Sequence, residues 1–290
     1  MNISTDTLKL FIAVAEQKSF TKAGDLLFLT QPAVSKRIAL LEENLGAPLF
    51  DRIGRQIALT EAGRTLLPQA QDMINRLHEM TRAIGNLSGK VEGELAIGTS
   101  HHIGLHRLPP YLKSYNQEFP QVKLNIKFME SEEIYEQVIQ GQLELGIVTL
   151  PEAPDPHLQV KSLWRDSLSF MVSCDHPLSE RAAITLNELL DYPAILPESK
   201  TFTRKIVEKI VAEHNKKLQC ELSTNNLETI RMLTRIGLGW SVLPNTMLKS
   251  EKSMCVLKIK NVEISRQLGI VQHKQRTLSN AAREFLMRLI

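Results

Sequence analysis

The chain has 290 residues, of which 43% are hydrophobic and 23% charged, and this composition fits a globular protein of about two domains. Its formal net charge of +3 excludes binding to nucleic acid through bulk basic charge, so any contact with DNA has to depend on where the cations are placed. No apolar run approaches the ~20 residues of a membrane-spanning helix, and the first residues lack the basic and apolar stretches of a secretory signal, so we expect a cytoplasmic protein without a membrane partner.

Residues 1–45 predict three short helices, the first with an apolar face. The second begins in SFTKAGDLLFLT, where Thr21 is a candidate N-cap. A break of a few residues separates it from the third helix. Two short helices joined by a tight turn form the helix-turn-helix arrangement.

The third helix is predicted from Thr30 to Gly46. The Thr30 hydroxyl is suited to cap its first turn, where Pro32 is tolerated because the first amides have no helical partner. Gly46 favours the left-handed conformation that ends a helix. One apolar stripe faces the core, at Val34, Ile38, Leu41 and Leu45.

The opposite side of this helix opens with polar residues and carries no carboxylate before Glu42. A helix fits the major groove of B-DNA, and its N-terminal side chains reach base edges first. Gln31 suits adenine, while Ser35 and Lys36 suit base edges or phosphates. The pattern therefore predicts a base-reading helix.

Residues 45–60 predict a small β-hairpin, because two short apolar pieces flank the segment DRIGR with Gly54 at the turn. A hairpin beside a helix-turn-helix is a wing. Arg52 and Arg55 near its tip would lie along the phosphate backbone or in the minor groove. Alone they could equally be ordinary solvated charges.

A long helix follows from Thr60, with Pro68 inside it as a discordant residue. Its apolar positions alternate steps of four and three, which is the pattern of two helices lying along each other. This predicts dimerisation, although the same seam could pack on its own domain. The seam is Leu66, Ala70, Met73, Leu77, Met80, Ile84 and Leu87.

From Glu94 the pattern alternates strands and helices to the C-terminus, which indicates a parallel sheet with crossover connections. Two α/β lobes side by side would accommodate these elements. Hydroxyls and free amides at a helix start, as around Thr99 and Ser100, favour an anion. The cleft at the carboxyl ends of parallel strands is the expected ligand site.

The three cysteines are far apart in the sequence and form no CxxC pair, which favours a reduced compartment. Cys220 and Cys255 lie in apolar strands and are expected to be buried, whereas Cys174 is expected to be exposed. A redox-sensing role through Cys174 stays open as an alternative. His101 and His102 have no partner at metal-ligand spacing, so we expect neither a metal nor a cofactor.

The segment LTQPAVSKRIALLEENLGAPLFDRIGRQIALTEAGRTLL resembles the N-terminal signature of LysR-type transcriptional regulators. The later segments GELAIGTS, LPPYLKSYNQEFPQVKL, GQLELGIVTL, DHPLS and RIGLGWSVLP are also similar to that family. The resemblance implies an α+β winged helix-turn-helix with a long linker helix, followed by an α/β two-lobed effector domain built like a periplasmic ligand-binding protein.

The resemblance also implies the domain organisation and the partners. The winged helix-turn-helix would be 1–60, the linker and dimerisation helix with its hinge 61–90, lobe I 91–161 with 266–290, and lobe II 162–265. Such regulators usually assemble as dimers of dimers on interrupted palindromes in double-stranded promoter DNA. Their effector binds between the lobes and changes DNA bending or contact with RNA polymerase.

Carried onto this sequence, the family's functional positions give two sets of residues. The DNA-binding set is Thr30, Gln31, Pro32, Ser35, Lys36, Arg52 and Arg55. The effector-binding set is Thr99, Ser100, His101, His102, Thr149, Thr201, Phe202 and Thr203, with Asn225 more loosely. We expect the effector to be a small carboxylate or another oxyanion.

A competing function is an enzyme or a transport-type binding protein with an accessory N-terminal domain. No GxSxG, HExxH or phosphate-cradling glycine loop occurs, so no nucleophile–base constellation supports an enzyme. We therefore expect a DNA-binding regulator that is not an enzyme, with a ligand or, alternatively, oxidation as its trigger.

Overall fold

The structure is a computed structural model that describes residues 3–53, 56–214, 216–248 and 253–290. The chain forms two compact units, Met1–Ser88 and Gly89–Ile290. Within the described residues, no helix combines the length and the apolar character needed to cross a membrane.

The first unit begins with three helices, α1 (Thr5–Gln17), α2 (Phe20–Leu26) and α3 (Gln31–Leu45). The predicted cap of α2 is wrong, because the Ser19 hydroxyl, not that of Thr21, accepts a bond from the Lys22 amide. The predicted Thr30 cap is wrong as well, since Thr30 occupies the N-cap position of α3 without a side-chain hydrogen bond. Gly46 ends α3 at φ 68°, as predicted.

The turn between α2 and α3 is tight and well packed on one side. A Cβ atom at Gly24 would lie 2.6 Å from the Leu29 carbonyl oxygen, so only glycine fits there without a shift. Phe28 adopts a left-handed φ of 56°, and its side chain is 96% exposed. The apolar stripe of α3 is buried as predicted, at Val34, Ile38 and Leu41, with Leu45 half-buried.

The predicted hairpin is present as two antiparallel strands, β1 (Phe50–Ile53) and β2 (Gln56–Leu59), paired from Phe50 opposite Leu59. Gly54 and Arg55, where the turn and one wing cation were predicted, lie outside the described residues. The Thr60 hydroxyl then caps the long helix α4 (Glu61–Asn86).

The heptad seam of α4 divides between two environments. Ala70 is buried in the core of its own unit, and Leu66 packs against the same core. The sequence left open that the seam packs on its own domain, and these two positions do so. Proximity to α1 explains it, because the first half of α4 packs against that helix. Five seam positions stay exposed: Met73 (55%), Leu77 (40%), Met80 (64%), Ile84 (68%) and Leu87 (85%).

In the second unit, one group of elements comes from the beginning and the end of the unit's sequence. These are β3 (Gly93–Thr99), α5 (His101–His106), α6 (Pro109–Glu118), β4 (Val122–Phe128), α7 (Ser131–Gln140), β5 (Leu145–Thr149), β11 (Ser265–His273) and α11 (Asn280–Leu289). The strands β4, β3 and β5 are parallel, as predicted. β11 is antiparallel to β5, so the expected all-parallel sheet is wrong. The short helix α5 begins after Ser100, where the sequence indicated a helix start.

The remaining elements form a second group. They are β6 (Leu158–Ser173), α8 (Leu186–Leu190), β7 (Ala194–Leu196), α9 (Phe202–Glu213), β8 (Cys220–Ser223), α10 (Leu227–Arg235), β9 (Ser241–Pro244), a 3-10 helix (Asn245–Leu248) and β10 (Met254–Leu257). β7 and β8 are parallel, while β9 and β10 pair antiparallel with β6.

These two groups are lobes with separate cores. Leu95, Ile97 and Phe285 are buried in the first lobe, and Phe170, Val207 and Trp240 in the second. β6 and β11 run antiparallel to each other from Leu158 opposite His273 to Ser167 opposite Ser265. This pair of long strands connects the lobes and is the base of the cleft between them.

The cysteines differ from their predicted environments. Cys174, which follows β6, and Cys255, on β10, form a disulfide with Cα atoms 5.1 Å apart, although 81 positions separate them in sequence. Both are half-buried, so the expectation of an isolated exposed Cys174 and a buried Cys255 is wrong. Antiparallel pairing of β10 with β6 brings them together. Cys220 is a free thiol.

Candidate functional site

The first candidate site is the N-terminal face of α3. Its buried stripe faces the core of the first unit, and this leaves Thr30, Gln31, Pro32 and Lys36 exposed on the other side. The Gln31 side-chain amide donates to the Ser35 hydroxyl at 2.9 Å, which aligns the two polar side chains along one face. Five of the seven predicted DNA-binding residues therefore share one surface.

The two wing arginines are less fully described. Arg52 lies on β1, opposite Ile57 of β2, and so belongs to the hairpin as predicted. Arg55 lies outside the described residues. The hairpin itself follows α3 after a short connection, in the arrangement that a wing requires.

The second candidate site is the cleft between the two lobes of the second unit. It encloses a cavity of about 310 Å³. One wall is built where β3 and β5 end and α5 and α7 begin, and the other at the start of α9. Six of the eight predicted effector residues line it: Ser100, His101, His102, Thr149, Thr201 and Thr203.

A buried cation lies at the base of this cleft. The Arg266 guanidinium donates through Nε to Asp166 at 2.9 Å and through Nη1 to the Thr203 hydroxyl at 2.8 Å. Arg107 approaches the other oxygen of the same carboxylate at 3.4 Å. The side chains of Arg266 and Asp166 are only 6% and 1% exposed, so these charges depend on each other for solvation.

His102 belongs to the same cluster but carries no charge at neutral pH. Its Nε2 is 3.9 Å from Asp166 and 3.3 Å from the hydroxyl of Thr246 in the other lobe. Burial, followed by the positive charge of Arg266, lowers the pKa of His102 to about 4. The imidazole therefore serves as a neutral hydrogen-bonding group in the cleft.

The first turn of α9 points its amides into the cleft. The Thr201 hydroxyl accepts from the Arg204 amide, and the carboxylate of Glu132 on α7 accepts from the Phe202 amide. The Thr203 amide has no hydrogen-bond partner in the part of the chain that the structure describes. Unpaired amides at a helix start, with Arg266 beside them, favour the acceptor atoms of an anion.

Carboxylates also line this cavity. Burial, with Glu132 and other nearby carboxylates, raises the pKa of Glu130. Glu228 faces the same cavity from the second lobe and pairs with Arg231 at 2.7 Å. The cleft therefore presents a cationic base and an acidic wall beside the hydroxyls and amides from which the sequence predicted an anion site.

Two predicted effector residues do not line the cavity. Thr99 is completely buried, and its hydroxyl donates to the Ile147 carbonyl at 3.1 Å between adjacent strands. The Phe202 ring packs edge-on against Tyr135 in a neighbouring depression, and its amide donates to Glu132. The prediction that these two side chains bind the effector is therefore wrong, because the Thr99 hydroxyl and the Phe202 ring both point away from the cavity.

Sequence reasoning missed Arg266, Glu130 and Glu132 as cleft residues. Arg266 was recognised only as the point where the chain returns to the first lobe. An arginine inside the apolar strand RQLGIVQ was the available signal, because a cation in a buried strand requires a partner. Among the described residues, no group of three or more metal-binding side chains is present.

Comparison with known proteins identifies the family of this chain and several relatives. Residues 5–64 match the model of bacterial regulatory helix-turn-helix proteins of the lysR family, and residues 88–290 match the model of the LysR substrate binding domain. A probable RuBisCO transcriptional regulator of Synechocystis sp. is 32% identical over 98% of this chain and 85% of its own length.

Solved structures show the same fold. Full-length CbnR in complex with its target DNA matches with a TM-score of 0.68 at 19% identity, over 99% of both chains. The effector binding domain of QuiR in complex with shikimate matches with a TM-score of 0.63 at 18% identity, over 68% of this chain and 95% of that one.

Proposed function

The chain belongs to the LysR family of transcriptional regulators, and from that premise we propose which of its residues read DNA and which bind its effector. As a regulator with a helix-turn-helix domain and an effector-binding domain, it binds DNA and a small molecule and it oligomerises. We further propose that it acts in the cytoplasm on a palindromic operator and that the effector changes its contact with RNA polymerase.

The proposed DNA-reading residues are those on the exposed face of α3, assisted by the wing. The observation that supports this is the polar patch that opens α3, with Gln31 and Ser35 bonded to each other and no carboxylate in the helix sequence before Glu42. Gln31 would take adenine, and Lys36 with Arg52 and Arg55 would take phosphates. The full set is Thr30, Gln31, Pro32, Ser35, Lys36, Arg52 and Arg55.

The proposed dimer seam is the exposed half of α4. Met73, Leu77, Met80 and Ile84 together present a long apolar surface that a single unit leaves in solvent. Replacement of Leu77 by Asp is expected to give a monomer that has lost tight operator binding. Sedimentation that shows an intact dimer of this variant would contradict the proposed seam.

We propose the domain boundaries 1–60, 61–90, 91–161 with 266–290, and 162–265. The division into units at Ser88 and Gly89 supports the hinge, and the two separate cores support the lobes. The crossings then fall within β6 and β11, where the chain runs from one core to the other.

The proposed effector is a small organic anion in the cleft. Arg266 carries this proposal, since it is the buried cation at the base of the cavity and lies beside the first amides of α9. Hydroxyls of Ser100, Thr149, Thr201 and Thr203 would orient the ligand. Shikimate, the ligand of the similar QuiR domain, is a carboxylate of suitable size.

A thermal-shift screen of small carboxylates and phosphates tests the effector proposal. A ligand that binds the folded cleft raises the melting temperature, by mass action. The screen should be repeated on Thr203→Val, which keeps the size of the side chain and removes its hydroxyl. A response that is unchanged in this variant would place the ligand elsewhere.

A second candidate function is redox sensing, which the Cys174–Cys255 disulfide favours. Two thiols would each lose a proton and an electron to form the S–S bond, while a hydroperoxide is reduced to an alcohol and water. Counting free thiols by mass spectrometry before and after peroxide tests this. If DNA affinity is the same in both forms, the disulfide has a structural role only.

A further inference from the structure

The two lobes meet at a carboxylate that comes from one lobe and reaches a helix start in the other. Glu132 lies in the first turn of α7, and its Oε1 accepts a hydrogen bond from the Phe202 amide at the start of α9. α7 packs through Ile134 and Val138 into the first lobe, and α9 through Val207 into the second. The bond therefore crosses the cleft.

This carboxylate occupies a position that suits a ligand anion. It lies at the positive end of α9, and its charge is one of those that favour the protonated form of Arg266, whose pKa burial lowers overall. Arg266 in turn donates to Thr203, one residue after the amide that Glu132 accepts from. Glu132, Thr203 and Arg266 line the same cavity.

The acidic wall makes this contact displaceable. Glu132 lies close enough to Glu130 to raise the pKa of that carboxyl, after the larger effect of burial. Two neighbouring carboxylates repel each other, so part of the attraction that α9 and Arg266 exert on Glu132 is offset. The Thr203 amide, next to the one that Glu132 accepts from, has no partner among the described residues, so an anion that engages both amides would compete with Glu132.

We propose that Glu132 is an internal carboxylate that fills the anion subsite of the ligand-free cleft and holds the two lobes together there, and that a carboxylate-bearing effector displaces it. The inference rests on the proposed effector function of this cleft. It assigns Glu132 the role of a competitor for the ligand, so ligand binding and release of the contact between the lobes become one event.

Hydrogen exchange of the Phe202 amide tests the contact without any ligand. In the full-length protein, Glu132→Ala is expected to raise the exchange rate of this amide at least about tenfold, because its acceptor is gone. Glu133→Ala is the matched control, since Glu133 lies one residue on, is exposed, and accepts a hydrogen bond from Gln137 on its own helix. Equal protection of Phe202 in all three proteins would overturn the proposal.

Competition is tested by thermal titration with acetate, malonate and succinate against chloride at matched ionic strength. Glu132→Gln keeps the shape of the side chain and removes its charge, so this variant should bind the best of these carboxylates about three- to tenfold more tightly than the wild type. Glu133→Gln should bind as the wild type does. Equal affinity in wild type and Glu132→Gln would overturn the competition.

The two measurements separate the inference from the proposed function. If no carboxylate stabilises any of the proteins, the anion proposal fails and displacement fails with it, while the exchange rate alone decides whether Glu132 joins the lobes. If carboxylates bind but the Phe202 amide exchanges at the same rate with and without the Glu132 carboxylate, the effector proposal stands and Glu132 does not compete with the effector.

Discussion

The reading face of α3 and the cleft of the second unit hold their polar side chains in opposite ways. On α3 Gln31 and Lys36 are exposed, and Gln31 bonds the half-buried Ser35 at the surface. In the cleft, Arg266 and Asp166 are buried and already bonded within the protein. DNA contact by Gln31 therefore replaces water and one solvent-accessible side-chain bond, whereas ligand binding requires an exchange of partners at buried charges. Substitutions in the cleft should therefore change the stability of the protein, whereas substitutions on α3 should change its affinity for DNA.

The largest effect is expected from Arg266→Met. It leaves the buried Asp166 without its closest cation, so the free energy of unfolding of the second unit should fall by about 3–5 kcal/mol. Urea denaturation followed by tryptophan fluorescence measures this, because Trp164 and Trp240, the two tryptophans of the chain, both lie in that unit.

Arg165→Met is the control for this prediction. Arg165 is the exposed neighbour of Asp166 on β6 and bonds the Ser265 hydroxyl at 3.2 Å. Its replacement should change the free energy of unfolding by no more than about 0.5 kcal/mol. Similar losses in both variants would mean that burial of the charge is not what makes Arg266 important.

A smaller effect is expected from acid. The pKa of His102 is about 4 in the folded protein and 6.5 in the unfolded chain. As the pH falls, the imidazole of the unfolded chain is therefore protonated at a higher pH than that of the folded protein. The stability from this group is complete above pH 6.5 and is lost as the pH falls towards 4. The loss should amount to roughly 2–3 kcal/mol, with Arg266, Arg107, His106 and Asp166 as the charged neighbours.

Urea titrations at several pH values check this expectation in wild type and His102→Gln. His176, whose pKa burial also lowers, contributes in the same direction in both proteins and cancels from the difference. The variant should show the flatter profile between pH 6.5 and 4. Parallel pH profiles of the two proteins would show that protonation of His102 in the folded state does not lower the free energy of unfolding.

On α3, Gln31→Ala and Ser35→Ala should each weaken operator binding by ~1–3 kcal/mol and leave nonspecific binding almost unchanged. The second unit should keep its stability. Fluorescence anisotropy with operator and random duplexes at one salt concentration measures both affinities. Asn44→Ala, an exposed position in the last turn of the same helix, is the control, and an equal loss on random DNA would refute base reading.

The smallest effect is expected at Phe28, in the turn before α3. Its left-handed φ of 56° costs a phenylalanine roughly 1–2 kcal/mol, and its exposed ring has little packing to offset this. Phe28→Asn should therefore stabilise the first unit by about 1 kcal/mol, measured by thermal unfolding. Leu26→Asn, at an exposed position inside α2, should give no such gain, and a loss at Phe28 would indicate that its ring is held by a partner.

The sequence predicted what depends on neighbours along the chain and failed where distant segments meet. The stripe Val34, Ile38 and Leu41 follows from helical periodicity, so it could be predicted. The bond from Arg266 to Asp166 joins residues 100 positions apart, and that from Phe202 to Glu132 joins residues 70 apart. No local pattern encodes such pairs.

The same limit explains the smaller errors. The disulfide depends on the pairing of β10 with β6, which no spacing of cysteines indicates. Leu66 and Ala70 obey the heptad rule, yet their own unit covers them because α1 is the nearer partner. Thr99 is the last residue of β3 and does not belong to the helix start that the sequence indicated, and the adjacent strand supplies an acceptor that takes its hydroxyl out of the cleft.

The most direct test of the account is the affinity of the full-length protein for a duplex from its own promoter, compared with a scrambled duplex of the same length and base composition at the same salt concentration. A dimeric reader that uses the start of α3 predicts a preference of at least about 10³-fold for the promoter. Equal affinity for the two duplexes would contradict the account.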